Sequence, residues 1–380
     1  MLQGLQPFLA LDIFAQASEL EAEGRGIRHL EIGEPCSPPA PAVKQAVARH
    51  LEQERQGYTA AKGLPALREA IAGYYRNQHD VDLDPGRIVV TTGSSGAFIL
   101  GFLACFPHGA KIGVTRPGYP AYVNILAGLG FEPVEIELKP QDDWRLDVAS
   151  LAAAHEEHGL AGLMLASPAN PTGAMVGRER FAEIIDYCTR LGIRLISDEI
   201  YHGLNFSGSC TSALEITDDA VVINSFSKYY CLTGWRIGWM VMPPDCVRQT
   251  EVLAQSMFIS APTPSQVAAM AALEERAYYD AQRERYRANR DVLVKGLEDI
   301  GFETPHGGDG GFYAYVDITR FSNDSITFCR ELLENADVAV TPGVDFDRTN
   351  GHRYVRISFA SDRPVIEGAL TRMADYLRGR

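Results

Sequence analysis

Between about residues 87 and 242, short apolar runs alternate with stretches whose apolar residues recur at helical spacing. The runs RIVVTT (87–92), KIGVT (111–115), EPVEIEL (132–138), GLMLAS (162–167), IRLIS (193–197), AVVIN (220–224) and RIGWMVM (236–242) read as strands. Between them, RERFAEIIDYCTRLG (178–192) sets Phe181, Ile184, Ile185, Cys188 and Leu191 on one helical face. Strand and helix at this spacing predict βαβ units and a mainly parallel seven-stranded sheet covered on both faces, an α/β fold. Farther on, Pro262 to Ile300 reads as helix for most of its length. Strand FYAYVDI (312–318), a helix around 325–336, VAV (338–340), strand YVRISFA (354–360) and a helix over 364–378 follow, the pattern of a smaller α+β domain. The expected division is a large domain over 41–275 and a small domain made from 1–40 plus 276–380.

Composition narrows the possible partners. The 380 residues carry 35 Lys plus Arg against 49 Asp plus Glu, a net charge of −14, so nothing draws the chain globally to nucleic acid or an anionic membrane. The longest apolar stretch, Ala97 to Phe106, is about half of a membrane span. The N-terminus lacks a basic region and soon meets Asp12, Glu19 and Glu21, which is unlike a secretory signal. Seven scattered cysteines with no C-x-x-C pair argue against a disulfide framework or zinc ribbon and favour a reducing compartment. A cytoplasmic enzyme is expected. His155 and His158, three apart on a predicted helix, read as a solvated face, so no metal is expected.

In parallel sheets ligands gather beyond the carboxyl ends of strands, and the residues there are distinctive. Gly93-Ser94-Ser95-Gly96 opens a helix after the first run; it suits a phosphate, or is an ordinary βα turn. Tyr119 leaves the Pro117-Gly118 turn and could stack on a planar ligand or simply pack. Asn170 lies between two prolines, an orienting amide or a turn residue. Asp198 ends a buried strand, where a carboxylate needs a cation or donors unless it is solvated. Lys228 sits among Ser225, Phe226, Ser227, Tyr229 and Tyr230; a partly dry amine there can attack a carbonyl, while a surface lysine would do nothing. Arg236 opens the last run, flanked by glycines, and suits a phosphate. One ligand uses all of these features: pyridoxal 5′-phosphate.

The motifs SPANPTG, SDEIY and SFSKYYCLTGWRIGW, with EIGEP at 31–35 and YVRIS at 354–358, resemble the fold type I pyridoxal-phosphate enzymes, specifically the class I/II aminotransferases. That resemblance implies a Lys228 internal aldimine and a ping-pong transfer of an amino group from an amino acid to a 2-oxo acid. It implies that Asp198 pairs with the pyridine nitrogen, that Asn170 and Tyr201 bond the phenolic oxygen, and that Tyr119 stacks on the ring. Ser94, Ser95, Gly96, Ser225, Ser227 and Arg236 fall at phosphate-binding positions. Tyr58 falls at the position that reaches the neighbouring subunit's phosphate, which implies a homodimer. Arg356 would take the substrate α-carboxylate, with Gly33 and Asn170 beside it.

No second arginine is assignable to a dicarboxylate side chain. Phe14, Tyr122, Phe258 and Phe312 are candidates for an apolar side-chain pocket or for plain core. Two rival readings stand beside the transaminase. One is a carbon–sulfur β-lyase or other elimination enzyme on the same cofactor. The other is a cofactor-binding regulator, which needs a DNA-binding module ahead of residue 30.

Overall fold

The computed structural model describes residues 5–379 except 54, 304 and 307; the N-terminal tetrapeptide of the leader reading lies outside the described residues. In chain order the strands are β1 (Arg28–His29), β2 (Ile88–Thr91), β3 (Lys111–Arg116), β4 (Glu132–Glu137), β5 (Gly162–Ala166), β6 (Arg194–Asp198), β7 (Val221–Ser225), β8 (Gly238–Val241), β9 (Tyr313–Asp317), β10 (Val338–Ala339), β11 (Thr341–Pro342) and β12 (Tyr354–Ser358). β2 to β8 form one sheet in the order β2-β8-β7-β6-β5-β3-β4. β7, β6, β5, β3 and β4 pair in parallel, whereas β8 runs antiparallel to both β7 and β2.

The continuous apolar runs now have a cause. Successive residues of a strand face opposite sides, and this sheet has a core on each side. Leu163, Leu165, Leu195, Val222, Trp239 and Val241 enter one core, while Met164, Ile196, Val221, Ile223 and Met240 enter the other. On helix Arg178–Leu191 the predicted stripe is buried through Phe181, Ile184, Ile185 and Cys188, and Gly192 ends the helix in the left-handed region. Edge strand β4 alternates between exposed and covered positions, as a strand with one wet face does.

The C-terminal part holds an antiparallel sheet, β11-β12-β9, and β1 pairs in parallel with β10. Helix Arg276–Ile300 packs on Arg363–Arg378 at the far side. Three local expectations shift. The 262–300 stretch is two helices, Thr263–Leu273 and Arg276–Ile300, broken between them. VAV divides, since 338–339 pair with β1 while 341–342 pair with β12. Arg236 does not open a strand: it caps a short 3-10 turn with φ +50°, and β8 begins two residues later. A left-handed residue breaks the ladder there, and that break lets the arginine face the helix start across from it.

Candidate functional site

Helix Gly93–Cys105 starts at the carboxyl end of β2, and its N-cap Thr92 gives no side-chain cap. The first-turn N–H groups, those of Ser94 to Gly96 among them, therefore gain nothing from that side chain, which is the condition an anion exploits. Gly238 lets β8 approach this turn: a Cβ there would lie 3.0 Å from Gly93 C, 3.1 Å from Ser94 N and 2.9 Å from the Asn224 carbonyl oxygen. Arg236 brings Nη2 to 2.7 Å from where a Cβ on Gly93 would sit, while its Nη1 donates to the Thr233 carbonyl at 3.0 Å. After β7, the Ser225 hydroxyl donates to Ser227 Oγ at 2.9 Å, and the Ser227 N–H donates back to Ser225 Oγ at 3.1 Å. Hydroxyls, helix N–H groups and a guanidinium thus share one corner.

Deeper in the cleft, Asp198 ends β6 and is buried. Burial pushes its carboxyl up to about 6, against the lowering effects of the Tyr122 hydroxyl, the Ile200 N–H and Lys228. The Tyr122 hydroxyl donates to Oδ2 and the Ile200 N–H to Oδ1, at 3.0 Å. Tyr122, read from sequence as a pocket or core aromatic, is in fact a buried donor to this carboxylate. It stands three residues after Tyr119, the N-cap of helix Pro120–Gly128, and so shares its face. The two rings meet edge to face at 5.4 Å.

Lys228 lies across from Asp198, and its Nζ donates to the Gly33 carbonyl at 2.7 Å. Desolvation, then the Arg356 charge, lower its pKa to about 8; Arg236 adds to this while Glu34 and Asp198 oppose it. Arg356, on β12, is buried between the rings of Tyr313 (4.4 Å) and Phe346 (4.7 Å). Its Nη1 donates to Asn170 Oδ1 at 3.1 Å; its Nη2 donates to the Glu31 carbonyl and to Thr341 Oγ1; its buried Nε has no partner among the described residues. The Tyr201 hydroxyl pairs with that of Tyr313 at 3.0 Å. Gly33 is obligatory because a Cβ would collide with the Tyr313 hydroxyl.

Lys228, Asp198, Asn170, Tyr201, Tyr119, Gly33 and Arg356 are therefore joined through direct contacts or shared fields, with the Ser/Arg corner beside them. Tyr58 is not among them: it is 83% exposed, on a stretch pinned by the Thr263 hydroxyl to the Gly57 carbonyl (2.8 Å) and by Gln266 Nε2 to Thr59 Oγ1 (3.0 Å). Sequence reasoning missed Tyr313, Phe346 and the Glu31 carbonyl, because nothing in a strand tyrosine, a turn phenylalanine or a backbone oxygen marks it before the fold brings it to Arg356. Pyridoxal 5′-phosphate fits these donors. The uncapped helix start and Arg236 match a phosphate, buried Asp198 a ring nitrogen, Asn170 and Tyr201 a phenolic oxygen, and the dry Lys228 amine an aldehyde.

Comparison with known proteins agrees. Residues 26–373 match the family described as aminotransferase class I and II. The chain is 41% identical over 378 residues to a valine–pyruvate aminotransferase of Mycobacterium tuberculosis, covering 98% of this chain and 97% of that protein. A crystal structure of an aminotransferase from Mycobacterium tuberculosis superposes with a TM-score of 0.97 at 41% identity, covering 100% and 99% of the two chains. The aspartate aminotransferase of Thermus thermophilus with maleate superposes at 0.92 with 30% identity over 98% and 97%.

Proposed function

The chain belongs to the class I and II aminotransferases and is a pyridoxal-phosphate enzyme that moves an amino group from an amino acid to a 2-oxo acid; from that premise we propose that its substrates carry small apolar side chains, and that Lys228 and Arg356 do the central work. One observation carries the reading. Lys228 and Arg356 donate to the carbonyls of Gly33 and Glu31, two residues apart on one segment, so an amine and a carboxylate fork are held side by side. An α-amino acid offers a carboxylate for the fork and, beside it, an amine that can stand where the Lys228 amine does.

When bound, the cofactor supplies a planar ring that takes up the electron pair left at the substrate Cα. Arg356 would bind the α-carboxylate, its planar guanidinium held and kept dry between Tyr313 and Phe346. Asn170, rigid between its prolines, would hold Arg356 through Oδ1 and keep its amide for the ring oxygen. Asp198 would keep the ring nitrogen protonated, and Tyr122 would orient that carboxylate. Lys228 Nζ would hold the cofactor and then carry the Cα proton; with a pKa near 8 it has free amine available close to neutrality.

The apolar preference is supported by the charges around Lys228. Those that act on it most are Arg356, Glu34, Arg236 and Asp198; the two cations have roles already, and the acid at 34 opposes a second carboxylate. The relative at 41% identity is named for valine and pyruvate, which agrees. A homodimer in which Tyr58 reaches the neighbouring phosphate, and a cytoplasmic setting, belong to the same proposal.

The test is a donor screen with purified holoenzyme, following conversion of the bound cofactor to its amine form. L-valine and L-alanine should convert it faster than L-aspartate, and the reverse order would overturn the apolar assignment. In parallel, Lys228→Ala should lower turnover by at least about a thousandfold and abolish the visible band of the lysine-bound cofactor.

A further inference from the structure

The segment that receives both cations is itself held by an unusual pair. Glu31 is fully buried, yet its carboxylate is not used by any group assigned above. His29 Nδ1 contacts Glu31 Oε1 at 2.7 Å, and Glu31 Oε2 has no partner among the described residues. His29 ends β1 and Glu31 lies two residues on, at a bend, and their contact closes over the backbone between them. On either side the segment is pinned: Leu30 N–H donates to the Ala339 carbonyl at 3.0 Å, Ser358 N–H to the Leu30 carbonyl at 2.8 Å, and the Thr341 hydroxyl to the Glu31 carbonyl at 2.9 Å. Beyond Leu30 the segment leaves its strand partner, and the next carbonyls, those of 31 and 33, go to Arg356 and Lys228. A buried carboxylate is tolerated only when paired, so the geometry of residues 31–33 depends on what His29 offers it.

We infer that His29 and Glu31 are positioning residues for the substrate-carboxylate site: the ion pair sets the Glu31 and Gly33 carbonyls, and through them the aim of the Arg356 fork. The inference rests on the assignment of Arg356 made above. The charged groups acting on His29 are Glu31, on its own segment, and Glu21, on helix Leu9–Ala22, at 3.3 Å. Beside β1, β10 sets only Val338 and Ala339, the Ser361 hydroxyl donates to the His29 carbonyl, and Arg372 of helix Arg363–Arg378 turns to the Gly26 carbonyl. Glu31 first, and Glu21 with it, raise the imidazole pKa against the lowering effect of burial. The paired form is therefore complete below the ordinary histidine range, persists above it, and is lost as pH rises through the raised value.

The experiment uses holoenzyme, with L-valine as substrate and isovalerate, a carboxylate without an amine, as a calorimetric probe. Glu31→Gln and His29→Asn should raise the L-valine KM and weaken isovalerate binding by about tenfold, with a much smaller change in kcat. The wild-type isovalerate Kd should rise with pH as His29 deprotonates, and that step should be missing in His29→Asn. His29 is only half-buried, so this variant stays informative if Glu31→Gln fails to fold. Unaltered binding and an unaltered pH profile in His29→Asn overturn the inference. So does a loss of kcat alone in His29→Asn with isovalerate binding intact. Arg356→Lys separates the two levels. If it leaves isovalerate affinity unchanged, the Arg356 assignment fails; if it weakens binding while the pair variants do not, only the positioning role fails.

Discussion

At the scale of single residues, the site is a set of groups whose chemistry burial has shifted. Asp198 is pushed up to about 6 by desolvation, and the Tyr122 hydroxyl is the first force holding it down. Tyr122→Phe leaves one buried carboxylate oxygen without its donor, a cost of about 1–3 kcal/mol. The Asp198 carboxyl then moves further up, so the acid limb of the kcat/KM profile should shift to higher pH. A pH–rate series on the variant checks this, and an unshifted limb removes Tyr122 from the site's electrostatics. Most of these residues are legible in sequence, because Asp198, Asn170 and Lys228 each follow an apolar run at a turn. Tyr122 is not, since a tyrosine on a helix looks the same whether it fills core or donates. Glu31 is hidden for another reason: its importance lies in a backbone oxygen and in a burial reached only after its segment meets strands far along the chain.

At the scale of elements, the corner proposed for the phosphate depends on how close β8 comes to the start of helix Gly93–Cys105. Gly238 is the contact point, and the atoms a Cβ would meet are backbone. Gly238→Ala therefore cannot be relieved by a rotamer change and should cost about 1–3 kcal/mol of packing. The prediction is a cofactor Kd weakened by about tenfold or more with the sheet intact, read by dialysis of the holoenzyme. Wild-type retention would mean that the corner is not where the phosphate is held. The strands themselves are legible from their apolar runs, but the direction of β8 is not. Apolar periodicity is the same for parallel and antiparallel pairing, and the reversal goes with the connection 226–237 between β7 and β8, which holds a 3-10 turn but no crossover α-helix. The same turn puts Arg236 in the left-handed region, which a reading of RIGWMVM as one continuous strand conceals.

At the scale of the whole molecule, the net charge of −14 belongs to the surface, while Lys228, Arg236 and Arg356 gather in the cleft. The exposed Tyr58 provides a test of the proposed dimer. Lys228→Ala and Tyr58→Phe subunits should each be poor alone. If Tyr58 serves the neighbouring site, mixing and reassociating them restores one intact site per mixed dimer, roughly a quarter of wild-type activity at equal amounts. No recovery on mixing would place Tyr58 in its own subunit's site or outside any site. The pairing of β1 with β10 has a consequence for how the enzyme is made. Residues 28–29 bond to residues 338–339, across most of the chain. Closing so long a loop is slow, and during synthesis β10 leaves the ribosome long after β1. The large sheet, complete by Val241, can assemble while the carbonyls of Glu31 and Gly33 still have nowhere to sit. A nascent chain of this protein therefore has the corner proposed for the cofactor phosphate well before it has the proposed substrate-carboxylate site, which forms only once β10 to β12 have emerged.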